Sequence, residues 1–532
     1  MTEHRAATRR TWIAVVILLL LAGSLNALWL AQHPYACGGQ DETHHYLRGL
    51  LVNQNMWDSK STLFQEPDVE WMAWWPPLTY FASALVMKLL GRAQWAMALT
   101  GTFFWMATLL FAFGIARRLG DDRDGLGAIA ALLFWPILLS YSRQYNLEMG
   151  LVATAAGANY FLLASDGFAR RPATLAFGLL CGLGLLAKIT FPVFIARSLI
   201  VVLAQHRRDF DARRGLWLAG ALVLAAAVAA FWYLPRLEHI GRALLLHVVG
   251  YNREFGPGQA ESGAPLLVDA AGKWGPVGVV YFLAALAAYP LFRDRKWLPV
   301  WVWMLVPIFV FVIAPSDIVR FALAATPAMA VLAVVFARRV LRGRKVLTVL
   351  VIVAWGGLAA ASTILASQQM WRLPNASADS ARILRAVDSP APRVCYVQHS
   401  ADTDFNEEHL RFLLRLHEPR LAFAPFGPGT FHIQHYERLV DCFRRGGAVL
   451  FRGGEDDLAW PSRAVLRDIV VGADKHALRQ DQGLAKGLFP PDFTFADWPD
   501  TPPDGYEKAD GIGYRVEDGP PIEFTLFAPR GD

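Results

Sequence analysis

The chain has 532 residues, 55% of them hydrophobic and only 18% charged, with 19 Trp and 33 Phe, far more apolar than a soluble protein of this length needs for its cores. That composition excludes an ordinary soluble enzyme. The net charge of +6 does not point to nucleic acid either, because the Lys and Arg lie in short clusters between apolar runs, where charge sets orientation in a bilayer.

Arg5, Arg9 and Arg10 precede the apolar segment Trp12 to Leu30. At about twenty residues this is long for the h-region of a signal peptide, and many more runs follow, so an uncleaved first span is expected. Further apolar runs lie near 98–116, 125–142, 147–165, 173–188, 189–205, 216–234, 276–292, 298–314, 320–337 and 346–367. Each is about long enough for a helix to cross roughly 30 Å of hydrocarbon, giving about eleven spans.

The basic clusters test this count. Arg117-Arg118, Arg170-Arg171, Arg207-Arg208 with Arg213-Arg214, Arg293 to Lys296, and Arg338 to Lys345 all fall on the side of the N-terminus, which the positive-inside rule makes cytoplasmic. The run Pro76 to Leu90 stays outside the count, since spanning there would carry Arg117-Arg118 to the other side. It reads as an interfacial helix on the outer face, with Trp71, Trp74 and Trp75 at headgroup level.

On this topology the outer face receives the loop 32–97, the segment Ser142 to Asn146, the junction at Lys188, the loop 235–275, the turn Ala314 to Asp317 and everything after Gln368. The expected organisation is a helical membrane domain over 1–370 and a soluble α/β domain over 371–532. In the latter, Val394 to Gln398, Leu421 to Ala424 and Ala448 to Phe451 read as buried strands, and Glu407 to Leu416 and Tyr436 to Arg445 as helices. Beyond about residue 470 the Pro- and Asp-rich stretch FPPDFTFADWPDTPPDG reads mostly as loop. No GxGxxG opens a helix, so dinucleotide binding is unsupported. Four Cys make no disulfide scaffold, but Cys395 and Cys442 can pair if this domain faces an oxidising compartment.

Directly after the first span comes CGGQDETHHYLR, residues 37–48. If a helix starts at Asp41, Asp41 and His45 stack at i, i+4, as do Glu42 and Tyr46. Asp41 suits an N-cap after Gly38-Gly39. That role accounts for one acid and leaves Glu42, His44 and His45 either as a solvated polar helix start or as site residues. As a zinc site the stretch is weak, because HExxH and a second ligand cluster are absent.

Glu148, in YSRQYNLEMGL, sits where one span ends and the next begins. Ionisable groups are expensive there and usually have a task; the bland alternative is an Arg143–Glu148 ion pair holding the turn. Lys188 and Arg320 open or close spans at the same outer face, where either can serve as a helix anchor. Asp41, Glu42, Arg143, Glu148, Lys188 and Arg320 thus come from four regions of sequence and meet at one membrane surface. Such a set suits an anionic, lipid-linked substrate and a group that must lose a proton.

In this order the motifs resemble the polytopic GT-C glycosyltransferases that use polyprenyl-phosphate-linked sugars, especially the protein O-mannosyltransferase and lipid A aminoarabinose transferase branch. The resemblance covers roughly the first 340 residues: Asp41-Glu42 after the first span, Pro76-Pro77-Leu78, Arg143 with Glu148, Gly182 to Lys188, and Arg320-Phe321 with Pro327. It implies Asp41 as catalytic base, with Glu42 and Glu148 as further catalytic acids. Arg143, Lys188 and Arg320 would contact the donor phosphate, and His44, His45 and Tyr46 are candidates for acceptor or metal contact. Glu148 stands where the family commonly has Asp, and Phe321 where it often has Tyr.

The implied reaction is an inverting displacement. A sugar passes from a polyprenyl-phosphate donor to a hydroxyl of a lipid, glycan or protein acceptor at the periplasmic face of a bacterial inner membrane, the N-terminus being cytoplasmic and the C-terminal domain periplasmic. Membrane lipids are expected partners, nucleic acid is not, and no cofactor is required, a divalent metal being left open. A transporter or flippase of a lipid-linked or anionic solute is the rival class. Against it stand charges clustered on one face and the lack of an evident inverted repeat.

Overall fold

A computed structural model of the chain describes residues 2–32, 36–37, 40–57, 75–237, 264–289, 294–313, 320, 322–368, 371–372, 393–398, 422–426, 433–452, 461–466, 495–504, 506–508, 512–515 and 521–529. It divides into two compact units. One comprises Met1–Pro34 with Leu51–Met370, the other Tyr35–Leu50 with Trp371–Asp532.

The first unit is helical. Its elements are α1 (Thr2–Gln32), the C-terminal part of α2 (Gln40–Trp57), α3 (Leu78–Leu90), α4 (Gln94–Leu119), α5 (Asp122–Leu133), α6 (Pro136–Arg143), α7 (Glu148–Ala164), α8 (Arg171–Ala187), α9 (Pro192–Gln205), α10 (Ala212–Tyr233), α11 (Ala264–Ala288), α12 (Leu298–Ile313), α13 (Thr326–Val340) and α14 (Lys345–Gln368). Among the described residues every apolar run read from the sequence is largely helical, the run 125–142 as the two helices α5 and α6. Among the described residues, however, four helices are long and apolar enough to cross a membrane, five if α5 and α6 form one span bent by 65°; several others are shorter apolar helices. The bend falls at Trp135-Pro136, where proline at the first position of α6 has no amide to donate back. α3 has 13 residues, too few to span, and buries Tyr80, Ser83, Ala84 and Met87 while Leu85 and Leu89 are exposed.

Small residues bring these helices together, as expected where lipid offers no hydrophobic drive between them. A Cβ on Gly178 would lie 2.2 Å from the carbonyl oxygen of Ala221, and one on Gly182 would lie 2.7 Å from Val228 Cβ. The pair, four residues apart on α8, therefore sets how closely α10 approaches. Around them the buried core runs through Trp105, Leu132, Trp135, Leu138, Met149, Phe168, Trp297 and Trp303. Leu20, Leu216, Val223, Val346 and Val353 stand exposed on the outside of their helices, an apolar surface suited to acyl chains rather than water.

At the arginine-rich ends, Asp121 caps α5 in a capping box with Asp124. Arg338 of α13 pairs with Asp121 at 2.6 Å and also with Asp124, and Arg117 of α4 pairs with Asp122 at 2.7 Å. Thr11 of α1 donates to Asp122 as well. The Arg338 hydrogen bond, with burial opposing it, holds the Asp121 carboxyl below the usual carboxylate range.

The second unit contains β1 (Ala36–Cys37), the start of α2, β2 (Trp371–Arg372), β3 (Arg393–Gln398), β4 (Ala422–Phe426), α15 (Ile433–Arg444), β5 (Ala448–Arg452), β6 (Tyr506–Lys508), β7 (Ile512–Arg515) and β8 (Pro521–Pro529). β1 pairs antiparallel with β2. The main sheet has the order β4-β3-β5-β8-β6, with β7 on β8. Strands β3, β4 and β5 are parallel and β8 runs antiparallel to β5. Val394 to Val397 and Ala448 to Phe451 are buried throughout, the unbroken apolar signature of parallel strands covered on both faces.

Cys395 of β3 and Cys442 of α15 form a disulfide, Cα to Cα 5.9 Å. It lies against Gly447, where a Cβ would come 2.6 Å from Cys395 Sγ. The expected helix at Glu407 to Leu416 lies outside the described residues. The described part of the expected loop, residues 495–504, has no helix or strand, but beyond it the chain returns as β6, β7 and β8, strands the sequence reading lacks, and Leu526, Phe527 and Ala528 are buried in the sheet. The Pro- and Asp-rich composition that suggested loop ends at Gly505, before these strands begin.

Candidate active site

The connection from α6 to α7, residues 144–147, carries a charged residue at each end. Glu148 opens α7, where the helix's unpaired amides favour a carboxylate, yet the side chain is only 1% exposed. Lys188 Nζ donates to Glu148 Oε1 at 2.8 Å, and Arg320 Nε donates to the same oxygen. Three elements therefore converge on one carboxylate: the start of α7, the end of α8 and the segment entering α13. No donor among the described residues reaches Glu148 Oε2, which is buried.

Local structure explains how Lys188 comes to be there. It caps α8 in an extended conformation, and α9 starts only four residues later. A Cβ on Gly184 would lie 2.2 Å from the Phe191 ring, so glycine there lets this tight turn fold back on α8. Arg320 precedes a short 3-10 turn, Leu323–Ala325, from which α13 starts. Trp303 Nε1 of α12 donates to the carbonyl of Ala324 at 3.0 Å and fixes that turn.

Arg143, the last residue of α6, does not take the Glu148 carboxylate. Its Nε donates to Asn26 Oδ1 at 3.0 Å, and its guanidinium carbon lies 4.8 Å from the centre of the Trp29 ring, within range of a cation–π contact. The turn alternative of an Arg143–Glu148 ion pair is thereby replaced by two separate arrangements. Between them Tyr145 is buried and its hydroxyl lies 2.6 Å from Ser83 Oγ. Because Ser83 already donates to the Tyr80 carbonyl at 2.9 Å, Tyr145 is the donor, tying the connection to α3.

Within the second unit α2 begins at Gln40, so Asp41 lies inside the helix and not at its cap. Glu42, His45 and Tyr46 are buried, unlike a solvated helix start. The side chains of Asp41 and His44, and all of Phe321, lie outside the described residues. Among the described residues no three His, Cys, Asp or Glu side chains gather to hold a metal ion.

Reading the sequence for charge alone missed Asn26. Its signal is its place, an amide inside the apolar run ILLLLAGSLNALWLAQ, where a polar side chain is costly unless partnered. Chemically, the first unit thus gathers two cations on one buried carboxylate oxygen, an arrangement of fixed positive groups suited to a phosphate ester.

Residues 75–233 match the family model described as dolichyl-phosphate-mannose-protein mannosyltransferase. No curated protein matches the sequence. Among solved structures, ArnT from Cupriavidus metallidurans in the apo state aligns with TM-score 0.58 and 16% identity over 84% of this chain and 93% of its own. The same protein bound to undecaprenyl phosphate gives TM-score 0.58 and 17% identity over 82% and 93%. The archaeal oligosaccharyltransferase AglB from Archaeoglobus fulgidus, in complex with an inhibitory peptide and a dolichol-phosphate, gives TM-score 0.55 and 12% identity over 88% and 72%. The chain is thus a membrane protein with the fold of the GT-C glycosyltransferases that work on polyprenyl-phosphate-linked sugars.

Proposed function

We propose that this protein transfers a sugar from a polyprenyl-phosphate donor to an acceptor hydroxyl, with inversion at the sugar. The observation that carries the reading is the convergence of Lys188 and Arg320 on the buried Glu148. Two cations that donate to one buried carboxylate are held in a fixed geometry. Such preorganised charge stabilises a departing phosphate more than freely moving side chains do. The lipid phosphates in the solved ArnT and AglB complexes support a ligand of this class.

In the proposed step the acceptor oxygen attacks C1 of the sugar, and the bond from C1 to the phosphate oxygen breaks, the electron pair leaving with the lipid phosphate. The Asp41 carboxylate takes the hydroxyl proton. General-base assistance of this kind is typically worth about 10²–10⁴-fold. Glu148 holds Lys188 and Arg320, and these two with Arg143 contact the donor phosphate. Glu42, His45 and Tyr46, with His44, shape the acceptor side.

The site faces the periplasm of a bacterial inner membrane, with the N-terminus cytoplasmic. The basic clusters support that orientation, as does the disulfide Cys395–Cys442, since such bonds persist in oxidising compartments. On this reading 1–370 is the catalytic membrane domain and 371–532 a periplasmic α/β domain.

The test is an assay on detergent-purified protein with a polyprenyl-phosphate sugar and detergent-solubilised, acceptor-containing membrane extract. A transferase releases polyprenyl phosphate without a sealed membrane; a transporter releases none. Mass spectrometry of lipids and glycans from a deletion strain then names sugar and acceptor together.

A further inference from the structure

We infer that Asn26 and Trp29 of α1 are positioning residues for the donor-phosphate site, aiming the Arg143 guanidinium through a hydrogen-bond chain whose direction is fixed. The inference rests on the proposed contact between Arg143 and the donor phosphate, and adds to it residues on a different helix.

The direction follows from counting protons. Ser142 Oγ donates to the carbonyl of Leu139 at 2.7 Å, and Thr102 Oγ1 donates to the carbonyl of Ser142 at 3.1 Å. Each hydroxyl has one proton, now committed, so each can only accept from Asn26. Asn26 Nδ2 meets both, at 2.7 Å for Ser142 and 3.1 Å for Thr102. An amide with both N–H groups used in this way cannot flip, because a flip would set its oxygen against two oxygens. Its Oδ1 must therefore face Arg143 Nε, as it does at 3.0 Å.

Nε is the nitrogen on the stem of the guanidinium, so fixing it sets the direction of the fork. Trp29, three residues and nearly one turn further along α1, supplies the second restraint, with the guanidinium carbon over its ring at 4.8 Å from the centre. Packing completes the device. A Cβ on Gly101 would come 2.9 Å from the carbonyl oxygen of Gln144 and 3.0 Å from that of Ser142. Glycine at 101 thus lets the segment carrying Arg143 lie directly on α4, within reach of Thr102. Asn26 is 0% exposed, with each polar atom partnered, as a buried amide must be.

A merely structural role, Asn26 tying α1 to α4 and α6, has different consequences, and the experiment separates the two. Full-length protein in detergent is titrated with radiolabelled undecaprenyl phosphate. The expected result is that Asn26→Leu weakens binding by roughly tenfold to a hundredfold, the worth of a hydrogen bond to a charged group. In an Arg143→Lys background, which has no Nε to read the amide, Asn26→Leu should weaken binding no further.

Equal binding by Asn26→Leu and wild type, or a full additional loss in the Arg143→Lys background, overturns the inference. Should Asn26→Leu not fold, Trp29→Leu carries the test: severalfold weaker binding, restored by Trp29→Phe, supports it, and unchanged binding overturns it. If the wild-type protein itself does not bind undecaprenyl phosphate, the proposed function fails and takes this inference with it. Failure of the inference alone shows as wild-type and variant proteins that bind alike.

Discussion

Lys188 Nζ lies 2.8 Å from Glu148 Oε1, across the 40 residues that separate the start of α7 from the end of α8. Arg320, 172 residues beyond Glu148, donates to the same oxygen. A side chain that is 1% exposed is thus the meeting point of three chain segments at the ends of their helices.

Removing its charge should be costly. Glu148→Gln removes the buried carboxylate to which both cations donate, and breaking a buried pair from one side typically costs about 3–5 kcal/mol; the partial exposure of Lys188 and Arg320 puts this case near the lower figure. A lowered thermal midpoint in detergent, together with lost transfer, is the expected result. Replacing Glu148 and Lys188 together by Gln and Met should cost less stability than the two single changes summed.

Helix approach gives a second prediction. Gly178→Ala places a methyl group 2.2 Å from the Ala221 carbonyl oxygen, so α8 and α10 must move apart. Overpacking of this kind costs about 1–3 kcal/mol. Gly220→Ala, in the same α10 but with nothing among the described residues within 4 Å of its Cβ, should leave the midpoint near that of the wild type.

In the α/β unit, Cys442→Ser removes a disulfide closing a sequence separation of 47 residues, for which about 2–4 kcal/mol is typical. Gly447→Ala, pressing on both sulfurs and on the Cys442 carbonyl, should destabilise the same unit without removing the bond. Limited proteolysis of the full chain, with fragments separated on non-reducing gels, reads both effects.

The Asp121–Arg338 pair gives a pH dependence. The folded-state pKa of Asp121 is depressed, so its contribution is present above the ordinary carboxylate pKa of about 3.9 and is lost as pH falls through the lower folded value. The Asp121 side chain is more than half exposed, so solvent screening limits the effect to about 1 kcal/mol or less. Thermal midpoints measured from pH 6 down to pH 3 should therefore fall slightly less steeply for Arg338→Ala than for wild type.

Much of this architecture is legible in the sequence because hydrophobic length and periodicity are local. The runs at 147–165 and 216–234 became α7 and α10 within a few residues of their expected bounds. The three parallel strands were legible for the same reason, whereas β8, PIEFTLFAP, lies behind a Pro- and Asp-rich stretch and earns its place only by pairing with β5. At the site, charge at a helix end singled out Glu148, Lys188 and Arg320, but not who pairs with whom. Arg143, five residues from Glu148, takes Asn26 instead, at a separation of 117 residues. Spacing along the chain holds no information about such a partner, and an uncharged amide gives a weaker signal than a carboxylate.

The most direct measurement of the central claim is release of polyprenyl phosphate from a polyprenyl-phosphate sugar by purified wild-type protein and by Asp41→Asn, with lipid binding measured alongside. The expected result is release by the wild type, and a loss of about 10²–10⁴-fold in turnover for Asp41→Asn with lipid binding kept. Release at the wild-type rate by Asp41→Asn, or none by the wild type with acceptor-containing membrane extract supplied, would contradict it.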